Sequence, residues 1–178
     1  MFLRRLTSLG LYTTRTSRRQ DRTMRLTEII RSGSVKVPLE AASKQEAIFE
    51  LVDVLAEQSD IADRQELKNA VWQREMTRTT GIGHGIAIPH GKCQGCDRLS
   101  MAIGRLATPI DFNAIDGKPV ELIILLASPL DQTGPHIQAL ARISRILTDD
   151  KARSLISQAP TSQSLYELIV KYDGDLQS

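Results

Sequence analysis

The stretch Val120–Ala127 reads VELIILLA, a nearly continuous apolar run closed by Pro129 two residues later. A strand with one wet face alternates apolar and polar residues, so an unbroken run is expected of a central strand buried on both faces. Pro129 has no N–H to give a sheet ladder and stops the strand. Helical patterns lie before and after it. Before it, Ser43 and Glu46 form a capping box, with Ile48, Leu51, Val52 and Leu55 on one stripe of a helix ending near Ser59. Asp63 caps a second helix carrying Leu67, Val71 and Arg74 on one stripe. After it, Gly134-Pro135 opens a helix with Pro135 at the first helical position and His136, Leu140, Ile143 and Leu147 in line. A short helix is predicted from about Asp149, and a last one capped by Ser162 buries Leu165, Leu168, Ile169 and Tyr172.

Three other strands are predicted. They are Val35–Val37, ended by Pro38; Ile86–Ile88, ended by Pro89; and Leu99–Leu106, followed by a loop containing Pro109. Leu26–Ile30 reads as a short helix broken by Ser32-Gly33-Ser34, and Asp116-Gly117 as a turn. Strands alternating with helices over 178 residues predict one α/β domain. No apolar run reaches the length of a membrane span.

Gly81 to Lys92 reads GIGHGIAIPHGK. The dinucleotide fingerprint GxGxxG fails, because Gly81, Gly83 and Gly85 alternate strictly. The P-loop fails too: one residue too many separates Gly85 from Gly91-Lys92, and Cys93 stands where Ser or Thr holds magnesium. No serine lies between the glycines to make a nucleophile elbow. What remains is His90, predicted at a strand end and facing open space through Gly91, as a nucleophile, base or ligand.

GIGHGIAIPHGK resembles the active-site segment of the type-2 (fructose/mannitol) enzyme IIA proteins of the phosphoenolpyruvate-dependent phosphotransferase system, above all the nitrogen-regulatory branch. The resemblance extends over Met24 to Asp173. It implies a mixed β-sheet with helices on both faces in a single domain, 24–178. It implies phosphorylation of His90 on Nε2, with Arg74 sixteen residues upstream and His136 forty-six residues downstream completing the site. From its helix alone, Arg74 reads as a complement to the helix dipole; the resemblance makes it a guanidinium beside a phosphoryl group. His136, near a helix N-terminus, becomes a phosphate-stabilising or tautomer-setting partner. The donor implied is a small histidine phosphocarrier protein, charged by an enzyme that uses phosphoenolpyruvate. Neither cofactor nor metal is implied, and the setting is cytoplasmic. Two roles stand inside the resemblance. One is a regulator binding protein targets according to phosphorylation state; the other is a sugar-transport component passing phosphate to a separate IIB domain.

Three features are not carried over. His84 is read as exposed on a glycine loop, with contact to phosphate or a partner as the alternative. Cys93 and Cys96 form a C-x-x-C that, with His84 or His90, offers a metal site or a redox sensor as a competing reading. Residues 1–23 hold six arginines against one acid, a net of +5, leaving −3 for the rest of a chain whose total is +2. A nucleic-acid reading of the domain thereby loses its main support. This basic extension is read as a disordered tail or upstream sequence before a natural start at Met24, with an organellar transit peptide as the alternative.

Overall fold

A computed structural model of the chain describes residues 24–58 and 61–176. The basic extension 1–23 and the predicted helix end at Ser59 lie outside these described residues. In chain order, a 3-10 turn (Leu26–Glu28) leads into β1 (Ile30–Leu39), α1 (Lys44–Gln58) and α2 (Arg64–Thr77). Three short strands follow: β2 (Gly81–Gly83), β3 (Ile86–Ala87) and β4 (His90–Lys92). The chain continues through β5 (Ser100–Ile110), β6 (Val120–Ser128), α3 (Thr133–Thr148), α4 (Asp150–Ser157) and α5 (Ser162–Asp175).

The strands make one mixed sheet in the order β1-β5-β6-β3-β2, with β4 also pairing β6. β6 is antiparallel to β5 and parallel to β3 and β4. It is the central strand that its composition predicts, and its pleat divides the core. Leu122, Ile124 and Leu126 pack with Ile143, Ile156, Leu165 and Ile169 of α3, α4 and α5. Ile123, Leu125 and Ala127 pack with Leu51, Leu55, Leu67 and Val71 of α1 and α2. Alternating side chains on one strand thus feed two cores, which is why every position from Leu122 to Ala127 had to be apolar. On the first side, a buried ion pair between Arg142 and Asp173 ties α3 to α5.

The helix signals hold with small shifts. Ser43 Oγ accepts the Glu46 N–H at 3.3 Å, while the Glu46 carboxylate reaches Ala42 N (2.9 Å) rather than Ser43 N. Asp63 caps α2 through Glu66 N at 2.9 Å. α3 begins two residues before Pro135, which takes the third helical position; this costs no bond, since the first N–H groups lack intrahelical partners. The N-cap of α5 is Thr161, one residue before Ser162, in a reciprocal box with Ser164.

β1 and β5 are longer than predicted. Ser32-Gly33-Ser34 does not break the chain but lies inside β1, at a register shift between Ile30 and Val35. There Ser34 Oγ accepts the Arg31 N–H (3.0 Å) and donates to the Arg31 carbonyl (2.8 Å), replacing the bonds the bulge removes. Pro38 is tolerated because β1 is an edge strand whose one partner is β5. Pro109 sits within β5 beyond Leu106, the last residue paired to β1, and inside a register shift against β6. No ladder bond is asked of it there.

The most consequential difference is at Pro89. The strand does not end; it is interrupted. Ile86 and Ala87 pair with Leu122 and Ile123, and His90, Gly91 and Lys92 pair with Leu126, Ala127 and Ser128, so the register is the same on both sides of Pro89. The Pro89 carbonyl still accepts Leu126 N–H at 3.0 Å. His90 therefore opens a strand braced by β6. Gly91 is buried, not a window to open space: a Cβ there would stand 2.8 Å from Val71 Cγ2 and 3.0 Å from Val71 N. The missing side chain lets α2 lie against β4. Gly91→Ala is expected to push α2 away at a cost of about 1–3 kcal/mol. A urea midpoint equal to that of the wild type would show that no such close approach exists.

Candidate functional site

Three elements converge on His90. β4 carries it, α2 approaches across Gly91, and α3 presents His136 from beyond the end of β6. The His90 ring is half-buried, and its Nδ1 lies 2.8 Å from the Ile88 carbonyl oxygen. A carbonyl only accepts, so Nδ1 is the protonated nitrogen and Nε2 keeps a free lone pair. Burial lowers the His90 pKa from its usual 6.5; the Ile88 bond opposes this, Arg74 lowers it further and Glu75 raises it. The ring is thus neutral at pH 7, the state a nucleophile requires.

His136 is 5% exposed, and its ring centroid stands 5.5 Å from that of His90 with the planes at 60°. Its Nδ1 is 2.9 Å from the hydroxyl of Ser128, the last residue of β6. Burial, then the charges of His90 and Lys92, push its pKa down to about 4. Its own N–H is already bonded to Gln132 O at 3.1 Å, so it is the side chain, not this backbone group, that is offered to the site. Arg74 is half-buried in the last turn of α2, where Nη1 donates to Arg78 O at 2.8 Å. Its effect on His90 is electrostatic. Of the three residues that the resemblance groups together, His90 and His136 stand ring to ring, and Arg74 acts on His90 through its charge from the end of α2.

His84 is not part of it. It is exposed on the β2–β3 turn with φ of 56°, its N–H held by Asp116 Oδ2 at 2.9 Å. The neighbouring Gly85 carbonyl accepts from Glu121 and Leu122 at the start of β6, whereas His90 pairs with Leu126. Those register positions are about 13 Å apart at strand rise. Cys93 and Cys96 are buried in the core beside α1 and α2, their sulfurs 3.1 Å apart as free thiols. Burial pushes both thiols up, away from the thiolate that metal binding or redox attack requires. Among the described residues, no group of three His, Cys, Asp or Glu side chains is placed to hold a metal.

Sequence reasoning missed two contributors. Ser128, fully buried, orients His136; the signal was a lone hydroxyl ending an apolar strand, which must find a partner. Lys92 pairs with Ser128 in the ladder, sends Nζ to Thr133 Oγ1 at 2.7 Å, and places a positive charge beside His136. Ile86 is in the core, whereas Ile82 before His90 and Leu130 and Ile137 around His136 in sequence are exposed apolar residues.

The model of the family "Phosphoenolpyruvate-dependent sugar phosphotransferase system, EIIA 2" matches residues 28–172. A nitrogen regulatory protein of Pseudomonas aeruginosa is 33% identical over 147 residues, which are 83% of this chain and 96% of that protein. The fructose-specific EIIABC component of Bacillus subtilis is 32% identical over 150 residues, 84% of this chain but 24% of that protein, so the chain spans about a quarter of that relative. Among solved structures, the nitrogen regulatory protein IIA-Ntr of Neisseria meningitidis superposes with a TM-score of 0.73 at 27% identity, covering 80% of this chain and 97% of that one. Among the described residues no helix is long and apolar enough to cross a membrane. With its mixed sheet and its extent of match, the chain belongs to the EIIA 2 family of the phosphoenolpyruvate-dependent sugar phosphotransferase system.

Proposed function

We propose that this chain is a phosphohistidine carrier that accepts a phosphoryl group on Nε2 of His90 and regulates protein partners according to that charge. The observation that carries the proposal is the Nδ1 bond from His90 to the Ile88 carbonyl, which leaves a neutral Nε2 free beside His136 and Arg74. In the transfer, the N–P bond to a histidine of a phosphocarrier protein breaks as the Nε2–P bond forms. Such a transfer is mostly positioning and charge stabilisation. With the Ser128 hydroxyl, 2.9 Å from Nδ1 of His136, taken as the donor in this bond, the ring proton of neutral His136 sits on Nε2, a donor for the phosphoryl oxygens. Arg74 and Lys92 supply positive charge. The cycle uses neither metal nor cofactor and takes place in the cytoplasm.

The likeness to nitrogen regulatory proteins over nearly their whole length supports a regulator. Phosphorylation adds about −1.5 to −2 charges. Leu130 and Ile137 suit an apolar contact with a partner, and a charge placed beside such a contact must be desolvated, which favours release. Partners recovered with wild type and His90→Ala should therefore bind the unphosphorylated protein at least about tenfold more tightly, or about 1.4 kcal/mol. Equal affinity for both forms across all partners would leave a simple carrier. The fructose-specific relative favours a second reading, a transport component handing phosphate to a IIB domain. Loss of growth on one specific sugar in a strain lacking the gene would select it.

A further inference from the structure

Glu75 stands next to Arg74 on α2 but is turned inward, with 3% of its surface exposed. Two physical rules oppose it. A buried carboxylate is costly unless fully bonded, and a negative charge in the last turn of a helix works against the macrodipole. Its bonds account for its presence. One carboxylate oxygen accepts both the backbone N–H of Thr80, at 3.0 Å, and the Thr80 hydroxyl. The other accepts Lys44 Nζ at 3.0 Å, and that ammonium lies 5.0 Å from the centre of the Phe112 ring. The path does not end at Thr80. The Thr80 carbonyl accepts the Ile88 N–H at 3.0 Å, and the Ile88 carbonyl is the group bonded to His90 Nδ1.

We propose that Glu75 is a positioning residue for His90: it anchors Thr80, Thr80 holds the Ile88 peptide, and the Ile88 carbonyl keeps His90 as the Nδ1–H tautomer with Nε2 free. The inference rests on the reading of His90 as the phosphoryl acceptor. It gives the buried acid a task distinct from tying α1 to α2 through Lys44. It also explains why an interrupted strand does not leave His90 loose, since the residues flanking Pro89 are held from the α2 side as well as by β6.

The test compares two double variants. In E75Q/K44M the glutamine oxygen still accepts from Thr80 and no charge is left unpaired. In E75M/K44M the ion pair is replaced by apolar side chains of similar volume, an exchange that cores often tolerate, but Thr80 loses its anchor. The readout is the tautomer of His90 by 15N NMR of the ring nitrogens. Wild type and E75Q/K44M are expected to show Nδ1–H alone. E75M/K44M is expected to show a substantial Nε2–H fraction and to accept phosphate about ten- to a hundredfold more slowly, as for other histidines that lose their orienting partner. A wild-type tautomer in E75M/K44M would overturn the proposal and leave Glu75 a structural residue. Should E75M/K44M fail to fold, Thr80→Val decides by the same readout: it removes one of the two Thr80 donors to Glu75 and is expected to admit the second tautomer, whose absence would overturn the proposal. The tautomer is read without phosphate. A wild-type protein that takes no phosphoryl group therefore refutes the carrier reading alone, and an unmoved tautomer in a protein that does take one refutes the role of Glu75 alone.

Discussion

His90→Ala is expected to fold and to take no phosphate from a phosphoenolpyruvate-driven donor cascade. The ring is half-buried at the start of β4 and meets His136 at 5.5 Å between centroids, so its removal opens a surface notch rather than a core cavity. The Ile88 carbonyl loses one hydrogen bond, worth about 1 kcal/mol. The backbone pairing of residues 90–92 with β6 does not depend on the side chain. What vanishes is the one neutral imidazole with an oriented, unbonded nitrogen beside a guanidinium and a second ring. His84 cannot replace it, being on the far side of the β3–β6 pairing. Circular dichroism close to wild type together with label at background is the expected pair of results. Acid-labile, base-stable label at the wild-type level in this variant would remove His90 from the account.

His136→Ala is expected to keep the acceptor and lose much of the rate. His136 holds no phosphoryl group in this account; it offers a proton on Nε2 toward the charge that develops at His90, while Ser128 fixes its other nitrogen. Removing one such electrostatic partner costs about ten- to a thousandfold in rate. Its depressed pKa, about 4, follows from burial and neighbouring charge, so near neutrality it acts as a neutral donor rather than as a cation. The variant also leaves the buried Ser128 hydroxyl without its partner, which lowers stability by about 1–3 kcal/mol. Rates are therefore to be compared at a temperature where both proteins are folded. Label reaching the same final level, but slowly, is the predicted course. A folded His136→Ala that never labels would exchange the roles of the two histidines.

Much of this arrangement is written in the sequence where burial dictates residue type. β6 is legible because two faces had to be apolar, and α2 because Asp63 caps it and Leu67 and Val71 mark its inner stripe. The buried stripe continues to Glu75 rather than to Arg74, whose guanidinium bonds the Arg78 carbonyl at the helix end. The readings that fail do so where tertiary context overrides a local breaker. Pro38 and Pro109 end strands only if a neighbour needs their N–H, and at those positions none does. Pro89 looks like a strand end until β6 is seen to hold one register on both sides of it. Gly91 looks like freedom and is instead close packing against Val71. Ser128 and Glu75 act through partners distant in sequence or through backbone carbonyls, which no residue pattern announces. The Cys93–Cys96 spacing suggests ligands, but the fold turns both sulfurs into the core.

The central claim is that Nε2 of His90 is the atom that accepts phosphate. It is tested most directly on the wild-type protein, phosphorylated by its donor cascade and examined by 31P and 15N NMR with peptide mapping. A single phosphoramidate on His90, with the phosphorus coupled to Nε2 and Nδ1 still protonated toward Ile88, is the predicted result. Phosphorus on Nδ1 of His90, or on His136 or His84, would contradict it.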